Sequence, residues 1–214
     1  MYVFCLIFLF PLIIIVYFTT FSEHFLFCCI LILYVIKEDS LMLKIFTTQL
    51  TGIFSRIQDK ESDAIEDGAR LLAQAVISGH SIYLYGANEL QGVFYEATES
   101  KEPFPSVKAF PENAEEVTES DRVLMFCSGT GTAEEQELAK ELYEKGAGVV
   151  CVSPAAKDSA GIEQYCDVHI DSKLKMPLVP DEDGTRYGFP SLMTALYVYH
   201  ALSFTLKEIL QEYA

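Results

Sequence analysis

From Met42 onwards the apolar residues Leu43, Phe46, Leu50, Ile53 and Ile57 recur three and four apart, the spacing that collects side chains on one face of a helix. Residues 59–62 break the pattern, and a second helix is predicted over residues 63–78. Its apolar face carries Ile65, Ala69, Leu72, Ala73 and Val76, and Gly79 is its stop signal. The period then shortens. Residues 81–85 (Ser-Ile-Tyr-Leu-Tyr) read as a short buried strand, followed by a turn from Gly86 to Leu90 and a helix to about Ser100. Residues 106–110 form a weaker second strand and residues 122–127 a strong third. A polar loop leads from there into a helix over about residues 133–145. A fourth strand covers residues 148–153 and a brief fifth 168–170. Residues 171–188 show no period and are predicted to form a long loop. Pro190 opens a last helix to about Tyr213, at a first-turn position where its missing N–H costs nothing.

Short apolar strands alternating with helices call for an α/β fold, a three-layer α/β/α sandwich around a mainly parallel five-stranded sheet. Such sheets bind ligands beyond the carboxyl ends of their strands. The turn after Tyr85 and the loop after Cys127 are therefore expected at one rim.

Residues 1–41 stand apart. Between Met1 and Ile36, Glu23 and His24 are the only Asp, Glu, Lys, Arg or His residues. Residues 1–21 are long enough for one membrane span, with Lys37, Lys44 and Arg56 holding the following side in the cytoplasm. The other reading is that the segment is translated upstream sequence. Lys37-Glu38-Asp39 can be encoded AAG-GAG-GAT, which contains a ribosome-binding sequence, and only Ser40 and Leu41 separate it from Met42. On that reading translation begins at Met42, the domain is residues 42–214, and a membrane is a partner only if residues 1–36 are genuinely translated.

The net charge is −16, and from Met42 onwards 28 acids face 14 bases. That field repels nucleic-acid phosphates, and no basic stripe or aromatic platform offsets it, so no nucleic-acid partner is expected. Cys127, Cys151 and Cys166 lie in or near strands, without CxxC or Cys/His ligand spacing. They read as small buried hydrophobes, and neither a metal nor a cofactor is called for.

The chemistry concentrates in Ser128-Gly129-Thr130-Gly131-Thr132, where glycines alternate with hydroxyl residues as a strand hands over to a helix. Free backbone N–H groups and the positive end of the helix dipole make such a loop receptive to an anion or a polyol. Thr132 also reads as a helix cap, with Glu135 three residues on completing a capping box.

The order of these parts resembles the SIS (sugar isomerase, phosphosugar-binding) domain family, and within it a Gram-positive branch, the YwjG-like proteins. The resemblance rests on two leading helices, a strand ending at Gly86, Asp121 opening the strand before the Ser/Gly/Thr loop, Lys145-Gly-Ala-Gly-Val-Val-Cys-Val-Ser, and Cys166-Asp-Val-His-Ile. It covers about residues 42–213. The family usually carries Gly-x-Gly-x-Ser after the first strand, whereas Gly86-Ala87-Asn88-Glu89-Leu90 keeps only the first glycine and adds a negative charge.

The resemblance implies a cytoplasmic homodimer that binds a phosphorylated sugar or another carbohydrate derivative. Gly86, Asn88, Ser128, Gly129, Thr130, Gly131 and Thr132 would be its ligand-binding residues. It further implies a phosphoheptose-like isomerase with Glu99 (Glu96 lies in the same region) and His200 as acid and base; the alternative is a non-catalytic sensor or protein-interaction domain. Read from the residues alone, Glu96 and Glu99 also fit a solvated helix face, and His200 a hydrogen-bonded core histidine. Phe189, Leu192 and Leu196 replace the polar residues expected before that histidine. Lys173, Lys175 and Arg186 concentrate bases in the long loop and could close over an anion. A nucleotide-binding reading is weaker, because no GxGxxG follows the first strand.

Overall fold

The computed structural model describes residues 3–9, 12–18, 23–157 and 161–213, with side chains from Leu41 onwards. The chain divides into two units, Met1–Ile45 and Phe46–Ala214. In the first, β1 (Val3–Leu9) and β2 (Leu12–Phe18) pair antiparallel, from Val3 opposite Phe18 to Leu9 opposite Leu12. Helix α1 (Glu23–Lys60) begins well before Met42, because neither glycine nor proline interrupts residues 23–51. Among the described residues no helix is long and apolar enough to cross a membrane.

In the second unit, the end of α1 buries Leu50, Ile53 and Ile57, as their spacing predicts. Helix α2 (Ser62–Ser78) buries Ile65, Ala69, Leu72 and Ala73 and ends at Gly79 in the left-handed conformation, its N–H returning to Ala75 and Val76 carbonyls. The strands are β3 (Ile82–Gly86), β4 (Val107–Ala109), β5 (Arg122–Phe126), β6 (Gly148–Ser153) and β7 (Val168–Asp171). They form one all-parallel sheet in the order β4-β3-β5-β6-β7.

Alternation along β5 shows the layering. Leu124 and Phe126 face a core shared with α1, α2, α3 (Gly92–Glu99) and α5 (Ser191–Glu212), whereas Val123 and Met125 face α4 (Ala133–Lys145). The result is the expected three-layer α/β/α sandwich. Two aspartates just ahead of strands secure the backbone at the sheet's far end. Asp121 accepts from the Ser81 and Thr118 amides and the Thr118 hydroxyl, and Asp167 accepts from the Val149 amide.

The structure departs from the sequence expectation in the segment 171–188. A small antiparallel pair, β8 (Val179–Pro180) and β9 (Arg186–Tyr187), forms inside the expected loop. With two residues a strand, it is too short to show a period in the sequence. Pro190 sits at the cap of α5, one residue before the first helical position.

Candidate functional site

β3 and β5 are neighbours in the sheet, with Gly86 directly opposite Phe126. From β3 the chain turns to α3 on one face, and from β5 to α4 on the other. This is the topological switch point of the sheet, where a crevice opens beyond the strand ends. The two sequence-predicted loops therefore meet at one rim.

The first loop is built around glycine. A Cβ on Gly86 would stand 2.6 Å from the Leu90 carbonyl oxygen, so the short 3₁₀ turn Asn88–Gln91 can fold back over the strand end only with no side chain there. Asn88 is exposed and left-handed (φ 51°), while Leu90 is buried. In the second loop Gly129 (φ 66°) and Gly131 (φ 86°) are left-handed on either side of Thr130, the kind of alternation that gathers successive N–H groups toward one anion. The Ser128 and Thr130 side chains are exposed, and their hydroxyls bond to no described residue.

Thr132 fulfils its local role. Its Oγ1 accepts from the Glu135 amide at 3.2 Å, and a Glu135 carboxylate oxygen accepts from the Thr132 amide at 2.7 Å. Glu135 is buried. The Glu135 amide in the first turn of α4 is thus satisfied by the Thr132 hydroxyl, and the Thr132 amide by the Glu135 carboxylate.

Between the loops lies a hollow of about 20 Å³, the room of one water. Ser128, Gly129 and Ser191 border it, and Leu90, Phe126, Val152, Leu174 and Phe189 are among its apolar wall residues. Ser191 was not foreseen as a site residue; its one sequence signal is its place at the start of α5. Its hydroxyl donates to Glu89 at 2.7 Å, and that bond holds the exposed Glu89 carboxyl below its ordinary range. The charge that Glu89 adds to the first loop is therefore engaged with α5.

Glu99 and His200 are placed elsewhere. His200 is exposed on α5, its Nε2 3.8 Å from the Glu96 carboxylate and its ring stacked on Phe204; Glu99 lies exposed one turn further along α3. Neighbouring Tyr199 is buried, and burial together with the Glu96 charge pushes its phenol up to about 12. Ser191 and His200 are nine residues apart on one helix, about 14 Å along its axis. In one chain the rim and the Glu96–His200 pair are separate places.

The family described as a domain of unknown function, DUF2529, matches residues 42–210. The chain belongs to that family. The structure of the DUF2529 chain is similar to those of several solved proteins. One is a candidate phosphosugar isomerase involved in capsule formation from Bacteroides fragilis (15% identity, covering 83% of this chain and 92% of that one, TM-score 0.62). A second is phosphoheptose isomerase GmhA from Neisseria gonorrhoeae (12%, 79% and 98%, TM-score 0.58). A third is the Vibrio vulnificus NanR protein complexed with ManNAc-6P (15%, 80% and 64%, TM-score 0.58). At these identities the likeness is one of fold, and the fold is that of the SIS domain.

Two of the three bases of the long loop are committed elsewhere in the DUF2529 domain. Lys173 is left-handed (φ 58°) and reaches Glu61 and Asp171 in a largely buried cluster. Arg186 donates to the Pro177 and Leu178 carbonyls, and Lys175 is exposed. Beside this cluster, Ser153 and His169 share a 2.9 Å hydrogen bond, and burial holds the imidazole below its ordinary range. Cys127 and Cys151 are buried free thiols and Cys166 a half-buried one. Among the described residues no three His, Cys, Asp or Glu side chains are grouped to hold a metal.

Proposed function

We propose that the DUF2529 domain binds a phosphorylated sugar or a related carbohydrate derivative at the switch-point rim, with Ser128, Gly129, Thr130 and Gly131 taking the phosphate. The observation that carries this is the pairing of Gly86 with Phe126, which brings the amides and hydroxyls of the second loop beside the first at the strand ends. Phosphate oxygens are pure acceptors, and a loop with two left-handed glycines whose donors pair with no described residue suits them. The NanR complex with ManNAc-6P and the isomerases of the same fold support this ligand class.

Binding is favoured over isomerisation. An isomerase needs a base within reach of neighbouring sugar carbons, and His200 with Glu96 or Glu99 lies far along α5 from the phosphate loop of its own chain. The water-sized hollow favours the second reading, a sensor that recognises its ligand without converting it. A cytoplasmic homodimer belongs to the same proposal; exposed Phe204, stacked on His200, and exposed Tyr95, next to Glu96 in the chain, support self-association there.

Thermal-shift titration of the full chain with hexose and heptose phosphates tests the binding. Saturable stabilisation is expected, and the Ser128→Ala, Thr130→Ala double variant is expected to lose it while keeping the ligand-free melting temperature. A flat response across the panel refutes sugar-phosphate binding. NMR-detected aldose–ketose interconversion that vanishes in His200→Ala would overturn the non-catalytic reading.

A further inference from the structure

We infer that Phe189 is a movable plug over the rim hollow and that the Glu89–Ser191 hydrogen bond is its latch. The proposal rests on the rim being the binding site, and it explains how a loop of amide and hydroxyl donors can stand over a hollow no larger than a water.

The apolar wall residues are not equally fixed, and Phe189 alone among them is exposed. Leu90 and Leu174 are each 2% exposed and belong to the larger core, whereas Phe189 is 41% exposed and packs into neither core cluster. Phe189 has the least apolar contact to lose on leaving.

The backbone around it confines movement to the turn from Phe189 to Ser191. The β8–β9 hairpin is stiffened by the Leu178 amide bonded to the Gly188 carbonyl and by Arg186 on the Pro177 and Leu178 carbonyls. Gly188, the residue before the plug, is left-handed (φ 71°), and Pro190 after it has a ring-locked φ. A swing of Phe189 therefore leaves the hairpin and the body of α5 where they are and shifts only the turn that ends at Ser191.

The latch joins the plug to the first loop. The Ser191 amide donates to the Phe189 carbonyl at 3.0 Å, and the Ser191 hydroxyl donates to Glu89 at 2.7 Å. Glu89 thus holds, through Ser191, the backbone that carries the plug. Its carboxylate lies at the start of α5, where the helix dipole favours an anion. A phosphate arriving at Ser128 and Gly129, which border the same hollow as Ser191, repels that carboxylate and loosens the latch. The ligand opens its own site because it interacts more favourably with the open form.

The chain contains no tryptophan, so Phe189→Trp in the full chain supplies a single emission probe at the plug. Adding Glu89→Ala to that variant is expected to shift the emission to longer wavelength and raise its acrylamide quenching, whereas adding Glu99→Ala changes neither. Hydrogen exchange in chains that keep Phe189 gives an independent readout: the Ser191 amide should exchange faster in Glu89→Ala than in the parent chain. Unchanged emission and unchanged exchange on losing Glu89 overturn the latch, whatever any ligand does. If the latch responds but hexose and heptose phosphates produce no red shift, the plug stands and the phosphosugar assignment falls.

Discussion

Gly86 shows how much one hydrogen atom in place of a side chain decides. The first loop can close over its strand only because nothing projects from Gly86 toward the Leu90 carbonyl, and the obstruction a Cβ would meet is backbone, which cannot rotate away. Gly86→Ala is therefore expected to lower stability by about 1–3 kcal/mol and to displace Leu90 from the wall of the hollow. Urea denaturation measures the first effect and the chemical shifts of the Leu90 methyl groups the second; an alanine variant with parental stability would refute this account of the turn. Residues that act on near neighbours were legible in the sequence. The Thr132–Glu135 capping box spans three positions and appears as written. The Lys173–Glu61 pair was not legible, because its partners lie 112 residues apart and meet only once the start of α2 is laid beside β7. Glu89 and Ser191, 102 residues apart, were hidden for the same reason.

At the level of elements, periodicity located the helices of residues 42–214, which bury one face, and short apolar runs located the five sheet strands, the central ones buried on both faces. Strand order within the sheet had no such local signature, since it depends on which side each crossover takes. The β8–β9 hairpin left none either. One close approach fixes how α2 lies on the sheet. A Cβ at Gly68 would come 3.2 Å from a Val150 methyl and 3.3 Å from a Leu202 methyl, so the helix backbone rests almost directly on β6 and α5. Gly68→Ala sets a gain in helix propensity of about 0.5–1 kcal/mol against that crowding. Gly68→Leu cannot be accommodated without lifting the helix. It is expected to cost about 1–3 kcal/mol or more, read as a lower denaturation midpoint with β3 and β5 amides still the last to exchange. A Gly68→Leu chain as stable as the parent would mean that α2 and the sheet are not packed this way.

For the whole molecule, the pH dependence of stability follows from groups that fix its layers together. Burial works against ionisation of Asp171, but the Lys173 and Ala155 amides and the Lys173 ammonium outweigh it and hold its pKa below the ordinary carboxylate value. Burial likewise opposes ionisation of Asp121, and hydrogen bonds from the Thr118 hydroxyl and the Ser81 and Thr118 amides outweigh it. A carboxylate depressed on folding stabilises fully above its unfolded pKa, and that stabilisation is lost as pH falls through the folded value. On the alkaline side the signs reverse. Burial would lower the Lys173 pKa, yet Glu61 and Asp171 raise it, and burial raises Tyr199 to about 12. Their contributions are complete below the ordinary lysine and tyrosine values and vanish as pH rises through the folded ones. Stability of the full chain is therefore expected to be flat with respect to these four groups from about pH 5 to 9, falling below about pH 4 and above about pH 10. Lys173→Met isolates the cluster, since it leaves Glu61 and Asp171 facing each other in a largely buried place. That loss is expected to cost about 1–3 kcal/mol at neutral pH and to reverse the acid limb locally, because protonating one carboxylate now relieves repulsion instead of breaking a pair. Denaturant melts of parent and variant between pH 3 and 7 measure the difference. Parallel curves would show that Lys173 is not what holds the Asp171 carboxyl below its ordinary value.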